Sequence, residues 1–137
     1  EDVCQAVLQE LDPRIESPVD FAVINRVLLA RTASGVPVDI GLAGFPFEAE
    51  LIGRATPFEF DENVVIPTIS AEDLIVLKAV ANRGHDWDDI ESIIVRQADR
   101  LDWSLVLDLL SSLADLIPEH DPLARLKAMR DWLHQEE

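Results

Sequence analysis

The C-terminal half of the chain repeats apolar residues at the spacing of amphipathic helices. A helix-capping Ser70 precedes the run LIVLKAVA, which is apolar on nearly every face and is therefore predicted to form a buried helix. Gly84 is predicted to break this helix, and a second one to open at Asp86. The stripe of this second helix comprises Trp87, Ile90, Ile93, Ile94 and Gln97. Later stripes comprise Trp103, Val106, Leu107, Leu110, Leu113 and Ile117, closed by Pro118, and then Leu123, Leu126, Met129, Arg130 and Leu133 after a cap at Asp121.

The N-terminal half contains shorter apolar segments, which predict one helix and two β-hairpins. Asp12-Pro13 is predicted to end the helix. A two-residue turn at Ser34-Gly35 is predicted to connect the two strands of the first hairpin. The predicted segments are a helix at 2–11, a connector at 14–25, strands at 27–33 and 36–42, one or two helical turns at 48–55, and strands at 58–60 and 64–66.

This order of elements indicates an α+β fold, in which a small mixed β-sheet is covered by helices. The chain has 137 residues, the length of one domain, and is long enough to bury a sizeable core. We therefore predict a single domain over residues 1–137. Its sheet portion is predicted in residues 1–69 and its helical portion in residues 70–137.

Composition excludes several functional classes. The net charge of −16 argues against nonspecific binding to a nucleic-acid backbone, so a nucleotide substrate would need a local cation site or a divalent metal. A single Cys excludes an intrachain disulfide and fits a cytoplasmic location, and no apolar run approaches the length of a membrane span. No P-loop, dinucleotide-binding, zinc-protease or serine-hydrolase motif occurs.

Two charged residues fall on predicted apolar faces. Lys78 shares a helical face with Leu74 and Leu77, so its ammonium must snorkel to solvent, pair with an acid or meet an anion. Asp86 lies within the apolar stripe of the next helix and is the best candidate partner for Lys78. For Asp86 and Asp89 the alternative is N-terminal capping and compensation of the helix dipole, worth about 0.5–2 kcal/mol.

A third candidate, Asp39, lies on the second strand of the first hairpin. Alternation places it opposite the apolar face of Val38 and Ile40, with Pro37 and Gly41 as its same-face neighbours. A carboxylate among small residues on a sheet face is either solvated or part of a site. The pattern leaves both alternatives open.

Three sequence runs carry a resemblance to a known family. They are VPVDIGLAGFPFEAELIGRA, VVIPTISAEDLIVLKAVANRGHDWDDI and the RLDW that begins a later helix. Together they resemble the nucleotidyltransferase fold, and within it the branch of AbiEii-like toxins of abortive-infection and toxin–antitoxin systems. The similarity covers about Val27 to Leu113. Its most specific part is Lys78, Arg83, Asp86 and Asp89-Ile90, which is similar to the K…R…D..DI motif of that branch.

The resemblance implies a metal-dependent transfer of a nucleotidyl group from a nucleoside triphosphate. Asp39 matches the family's third carboxylate, a Mg²⁺ ligand and catalytic residue that helps activate the acceptor hydroxyl. Lys78 matches a motif lysine suited to phosphate oxygens, and Arg83, Asp86 and Asp89 complete the motif at the nucleotide. The resemblance further implies an RNA or protein acceptor, an antitoxin partner and no membrane association.

The chain departs from the family at the main metal motif. No Gly-Ser and no strand-borne Asp-x-Asp occurs, and Asp86-Trp87-Asp88 lies on a predicted helix, where residues two apart diverge by about 200°. We expect this motif, with its N-terminal strands, to lie outside these residues. The alternative is a non-catalytic binding or regulatory module.

Because one carboxylate is too few for an octahedral site, we expect weak or no Mg²⁺ binding by these residues alone. We also expect Asp39 and Lys78 to approach one another across a cleft.

Overall fold

The computed structural model describes residues 1–113, 117 and 120–133. The chain divides into two compact units, Glu1–Gly53 and Arg54–Glu137. The predicted helix end at Pro118 lies outside the described residues. The prediction of one domain over the whole chain stays a prediction.

The first unit is a three-stranded antiparallel sheet with helices before and after its strands. The strand order is β1-β2-β3, and β3 pairs with β2 so that Leu29 lies opposite Asp39. The elements are α1 (Asp2–Val7), β1 (Asp12–Pro13), α2 (Pro18–Asn25), β2 (Val27–Arg31) and β3 (Pro37–Gly41), followed by α3 (Pro46–Arg54).

The predicted first hairpin is confirmed, but its turn is longer than predicted. The backbone N–H of Thr32 donates to the carbonyl of Val36 at 2.9 Å, which leaves three residues in the loop instead of two. Gly35 adopts φ +86°, the left-handed conformation that closes a three-residue hairpin loop. Exposure alternates along β3 as predicted, with Val38 and Ile40 partly covered and Asp39 exposed.

Two predictions for the N-terminal segment are wrong in extent. Helix α1 ends at Val7 instead of residue 11, and Asp12-Pro13 becomes a short strand beside β2. The predicted connector contains α2, whose first residue is Pro18. Proline is favoured at a helix start because its missing N–H would have no intrahelical partner there. The segment is short and not amphipathic, so apolar periodicity does not reveal it.

The core of the first unit joins the two N-terminal helices to the central strand. Cys4 of α1, Ala22 of α2 and Leu28 of β2 are its fully buried members. Val7, Leu8, Val19, Ile40 and Leu42 pack against them. Helix α2 packs directly against β2, and the small side chain of Ala22 is fully buried in this contact region.

The second unit consists of a two-stranded hairpin followed by a group of packed helices. Helix α4 contacts α5, α6 and α7 and is the central element. The elements are β4 (Thr56–Asp61), β5 (Val64–Thr68), α4 (Ala71–Ala81), α5 (Gly84–Gln97), a 3-10 turn (Ala98–Arg100), α6 (Trp103–Leu113) and α7 (Pro122–Leu133). The α+β class is confirmed, although the described strands form two small antiparallel sheets instead of one mixed sheet.

The predicted helix caps are confirmed in the second unit. Ser70 Oγ accepts the N–H of Asp73 at 3.1 Å, and Asp121 Oδ1 accepts the N–H of Ala124 at 2.9 Å. The carboxylate of Asp73 is buried and accepts a hydrogen bond from Arg54 Nη2 at 2.6 Å. Asp73 therefore ties the start of α4 to Arg54, which lies two residues before β4.

The core of the second unit is formed by the faces of α4–α7 that turn inward. Helix α4 buries Ile75, Val76 and Ala79, so the predicted face of residues 74, 77, 78 and 81 is its less covered side. The predicted stripes of the other helices are confirmed by burial of Trp87, Ile90, Ile94, Val106, Leu110, Leu113 and Leu126. Within the described residues, no helix is long and apolar enough to cross a membrane.

Candidate functional site

The structure brings four of the five predicted site residues together where α4 meets α5. Lys78 lies in the last turn of α4, Arg83 directly precedes α5, and Asp86 and Asp89 lie in the first two turns of α5. We call these four residues the α4–α5 charged cluster. Asp39 lies on β3 in the first unit. Because the two units are described separately, the expected approach of Asp39 to Lys78 stays a prediction.

Asp86 is the buried centre of the α4–α5 charged cluster. Its side chain is 0% exposed, whereas the side chain of Arg83 is mostly exposed. Arg83 donates from Nε to Asp86 Oδ2 at 2.7 Å and from Nη2 to Oδ1 at 3.2 Å. The backbone N–H of Arg83 also donates to Asp86 Oδ2 at 3.2 Å. Asp86 therefore caps the N-terminus of α5, which is the capping alternative given above. It also orients the guanidinium of Arg83.

Lys78 contacts both carboxylates of the α4–α5 charged cluster. Its Nζ donates to Asp89 Oδ2 at 2.6 Å and lies 3.6 Å from Asp86 Oδ1. The side chain of Lys78 is 22% exposed, and that of Asp89 is more exposed. The expected contact of Lys78 with Asp86 is present, but the shorter bond goes to Asp89. The ammonium therefore bridges a buried carboxylate and a solvent-facing one.

Mutual contacts favour the charged forms of Lys78, Arg83 and Asp86. The hydrogen bond to Asp89 raises the pKa of Lys78 above 10.5, and the bond to Asp86 raises the pKa of Arg83. The hydrogen bond from Arg83 lowers the pKa of Asp86 below 3.8, against the opposing effect of burial. Two cations and two anions therefore meet at neutral pH, and their formal charges cancel.

We expect acid to remove the contribution of Asp86 to stability. Its pKa is lowered on folding, so this contribution is fully present above 3.8 and is lost as the pH falls through the folded-state value. The difference in free energy of unfolding between the wild type and Asp86→Asn should narrow below about pH 4. Denaturant unfolding across the acid range measures it, and Asp108→Asn, at an exposed carboxyl on α6, controls for the loss of one charge. A difference that stays constant would contradict the prediction.

Residues that the sequence analysis did not select hold the α4–α5 turn in shape. Asn82 ends α4 in the left-handed conformation, with φ 52°, two residues before the predicted break at Gly84. Asn tolerates this conformation better than most residues, because its short side chain can hydrogen-bond locally. Its Oδ1 accepts the indole N–H of Trp87 at 2.8 Å, and the guanidinium of Arg125 lies 4.1 Å from the centroid of that ring. In the sequence, the Asn82-Arg83 pair was the only indication of a turn at this position.

Asp39 has a different environment from the α4–α5 charged cluster. Its carboxylate is exposed on the sheet face and forms an ion pair with Arg14, in which Nη2 lies 2.8 Å from Oδ1. The solvated alternative describes its exposure correctly. An exposed ion pair contributes about 0–1 kcal/mol, so Arg14 does not prevent Asp39 from taking another partner.

The described residues do not fit a Mg²⁺ site by themselves. Mg²⁺ requires near-octahedral oxygen ligands, and Asp39 is one carboxylate whose neighbour is the Arg14 guanidinium. Among residues 1–113, 117 and 120–133, no group of three or more His, Cys, Asp or Glu side chains is placed to hold a metal ion. We therefore derive no step through a metal from these side chains.

Comparison with known protein families places most of the chain, including the residues of this site, in one family. Residues 25–130 match the family described as "Nucleotidyl transferase of unknown function (DUF2204)", and the chain belongs to this family. The match includes Asp39 and the whole α4–α5 charged cluster. The family description implies a nucleotide as the substrate class. No curated protein matches the chain.

Proposed function

We propose that the protein transfers a nucleotidyl group from a nucleoside triphosphate, and that the α4–α5 charged cluster contacts the phosphates. The observation that carries this proposal is the buried Asp86, which holds the Arg83 fork and also contacts Lys78. One buried anion thereby fixes two cations whose outer sides face solvent. We further propose membership of the AbiEii-like toxin branch, with an RNA or protein acceptor and an antitoxin partner.

The chemistry of nucleotidyl transfer suits such an arrangement. Its catalysis is mostly positioning of the phosphates and neutralisation of their oxygens, so cations held in place before the substrate arrives are favourable. The planar guanidinium of Arg83 presents donors in a fork that matches phosphate oxygens, and Lys78 adds a compact charge beside it. Asp86 already satisfies one edge of Arg83, which leaves Nη1 without a partner among the described residues.

A phosphate can replace Asp89 more easily than Asp86. Asp89 is mostly exposed, so separating it from Lys78 returns its carboxylate to water at a cost of about 0–1 kcal/mol. Asp86 has no exposed surface, and it keeps its bonds from Arg83 when Lys78 turns outward. In this proposal Asp89 holds Lys78 in the free protein and yields it to the substrate, whereas Asp86 stays as the anchor.

The proposal also includes Asp39 and Mg²⁺, which lie outside the α4–α5 charged cluster. In the complete site Asp39 would be one of the metal-binding carboxylates and would help activate the acceptor hydroxyl. Mg²⁺ would supply charge neutralisation at the triphosphate. Transfer of label from an α-labelled nucleoside triphosphate to RNA or protein, by the full-length protein and its Asp39→Asn variant, tests this role. Equal transfer by both proteins would remove Asp39 from catalysis.

We expect Lys78→Met to abolish the response of the protein to nucleotide. Thermal unfolding should show a rise in Tm of about 5–10 °C for the wild type with ligand at about 100 times its Kd, and no rise for Lys78→Met. Methionine keeps the volume of the side chain and removes its charge, so the free protein should remain folded. Each of the four nucleoside triphosphates is tested in turn with the full-length protein.

Lys127→Met is the matched control, because Lys127 is an exposed lysine on α7. It should preserve the rise in Tm. An unchanged nucleotide response in Lys78→Met would remove the phosphate role of the α4–α5 charged cluster.

A second candidate function is a non-catalytic module that binds nucleotides without transferring them. The pairing of Asp39 with Arg14 favours it, since a carboxylate in that pair is neutralised by protein instead of metal. Label transfer separates the two candidates. A nucleotide-dependent rise in Tm without transfer to any acceptor, in the full-length protein with Mg²⁺, would support the module.

A further inference from the structure

The β4–β5 hairpin exposes an unusual amount of apolar surface. Phe58 is 55% exposed and Phe60 is 70% exposed, and Val64, Val65 and Ile66 of the other strand are exposed as well. Every residue of both strands is exposed, so neither face of this hairpin is covered by the other described residues. A two-stranded hairpin is marginally stable in water, and a contiguous exposed apolar patch commonly marks an interaction surface.

The charges on the same hairpin are all of one sign. Glu59, Asp61 and Glu62 lie on β4 and its turn, and no Lys or Arg occurs between Arg54 and Lys78. A nucleic-acid backbone or an anionic membrane would be repelled by this surface. A second copy of the chain would bring the same three acids against each other, within a protein of net charge −16. A cationic partner is the complementary choice.

The edges of the hairpin are unsuited to adding another strand. Pro57 lies directly opposite Pro67 in the register of the two strands. Neither proline has an N–H to exchange, so this pair is a non-hydrogen-bonded one whose nitrogens face outward. Each free edge therefore presents a proline ring where an incoming strand would need a donor. A partner is favoured on the faces of the hairpin, through side-chain contacts.

We propose that the β4–β5 hairpin is a docking surface for a cationic amphipathic helix of another protein. The apolar side of that helix covers Phe58 and Phe60, and its Lys and Arg residues meet Asp61 and Glu62 at the turn end of the hairpin. Asp61 is paired with Val64, which shares a face with Ile66 and its partner Phe58. Aromatic side chains in the covered centre contribute most of the affinity, and the rim charges set the rate of association and its dependence on salt. The surface does not involve the α4–α5 charged cluster, so this inference is independent of the proposed function.

The test uses a helical peptide in which Leu and Lys follow an amphipathic heptad pattern. Its binding to the full-length protein is measured by fluorescence anisotropy. A peptide with Glu in place of Lys is the charge control and should not bind. The double variant Phe58→Ser/Phe60→Ser should weaken binding of the Leu/Lys peptide by at least about tenfold. Val95→Ser/Leu105→Ser, at exposed apolar positions on α5 and α6, should change it by less than about twofold.

A second pair of variants separates hairpin binding from general attraction to an acidic protein. Asp61→Lys/Glu62→Lys should weaken binding by at least about tenfold, and Asp99→Lys/Asp108→Lys, with the same change in net charge, by less than about threefold. Equal losses in the hairpin and control variants would overturn the proposal. Two further results would overturn the proposal. One is that the wild type self-associates in sedimentation and Phe58→Ser/Phe60→Ser does not. The other is that the wild type floats with phosphatidylglycerol vesicles and this variant does not.

Discussion

Replacing Trp87 by Ala is expected to lower the free energy of unfolding by about 3–5 kcal/mol, the range for removing a large aromatic side chain from a core. Trp87 is 2% exposed, and its indole N–H donates to Asn82 Oδ1 at 2.8 Å. The substitution therefore removes packing, a hydrogen bond and the surface on which Arg125 stacks. Denaturant unfolding followed by circular dichroism measures the loss.

Two further variants separate these contributions. Trp87→Phe keeps most of the ring but loses the indole N–H, and should cost about 1–2 kcal/mol, because water can reach Asn82. Trp132→Ala is the matched control at an exposed tryptophan on α7, and should cost less than about 1 kcal/mol. If Trp87→Ala and Trp132→Ala cost the same, then Trp87 does not fix the α4–α5 turn.

The second large effect is expected from separating Arg83 and Asp86. Arg83→Met leaves the Asp86 carboxylate buried with one backbone N–H and the more distant Lys78 and His85, and should cost about 2–4 kcal/mol. Asp86→Asn removes the buried charge itself, and the exposed Arg83 can turn into water, so its cost should be smaller, about 1–3 kcal/mol. The double variant should cost less than the sum of the two.

A double-mutant cycle measures this coupling, which is expected to be about 1–3 kcal/mol. The matched control is the pair Arg130–Asp131 on α7, in which the guanidinium also donates through Nε and Nη2 to one aspartate, at 3.0 and 2.8 Å. Neither side chain of that pair is buried, so its coupling should be about 0–1 kcal/mol. Additive costs at Arg83 and Asp86 would exclude a buried pair between them.

The sequence predicted those features that depend on neighbours along the chain. The caps at Ser70 and Asp121 and the pairing of the first hairpin follow from local residue preferences, and the structure confirms them. The stripe that buries Asp86 beside Trp87 and Ile90 follows from helical periodicity. Periodicity identified a charged residue in an apolar place, and the resemblance to the K…R…D..DI motif selected the residues of the candidate site.

The sequence predicted short or irregular segments less well. Helix α2 has no apolar stripe to reveal it, and its proline start is compatible with a loop as well. The chain reverses at Asn82, although Gly84 has the stronger intrinsic preference for a left-handed conformation. The bond from Trp87 stabilises the Asn82 turn, and such a bond exists only after α5 has folded back against α4.

By itself the sequence determined that Lys78 would lie on a largely apolar helix, Asp86 within the apolar stripe of the next helix, and Asp39 opposite the apolar face of its strand. Only the tertiary structure decided that Asp89 is the close partner of Lys78, that Arg83 is the close partner of Asp86, and that Arg14 pairs with Asp39. Periodicity gives the direction of a side chain around one helix or strand. The choice of an ionic partner depends on distances of a few ångströms between elements, and packing alone sets these distances.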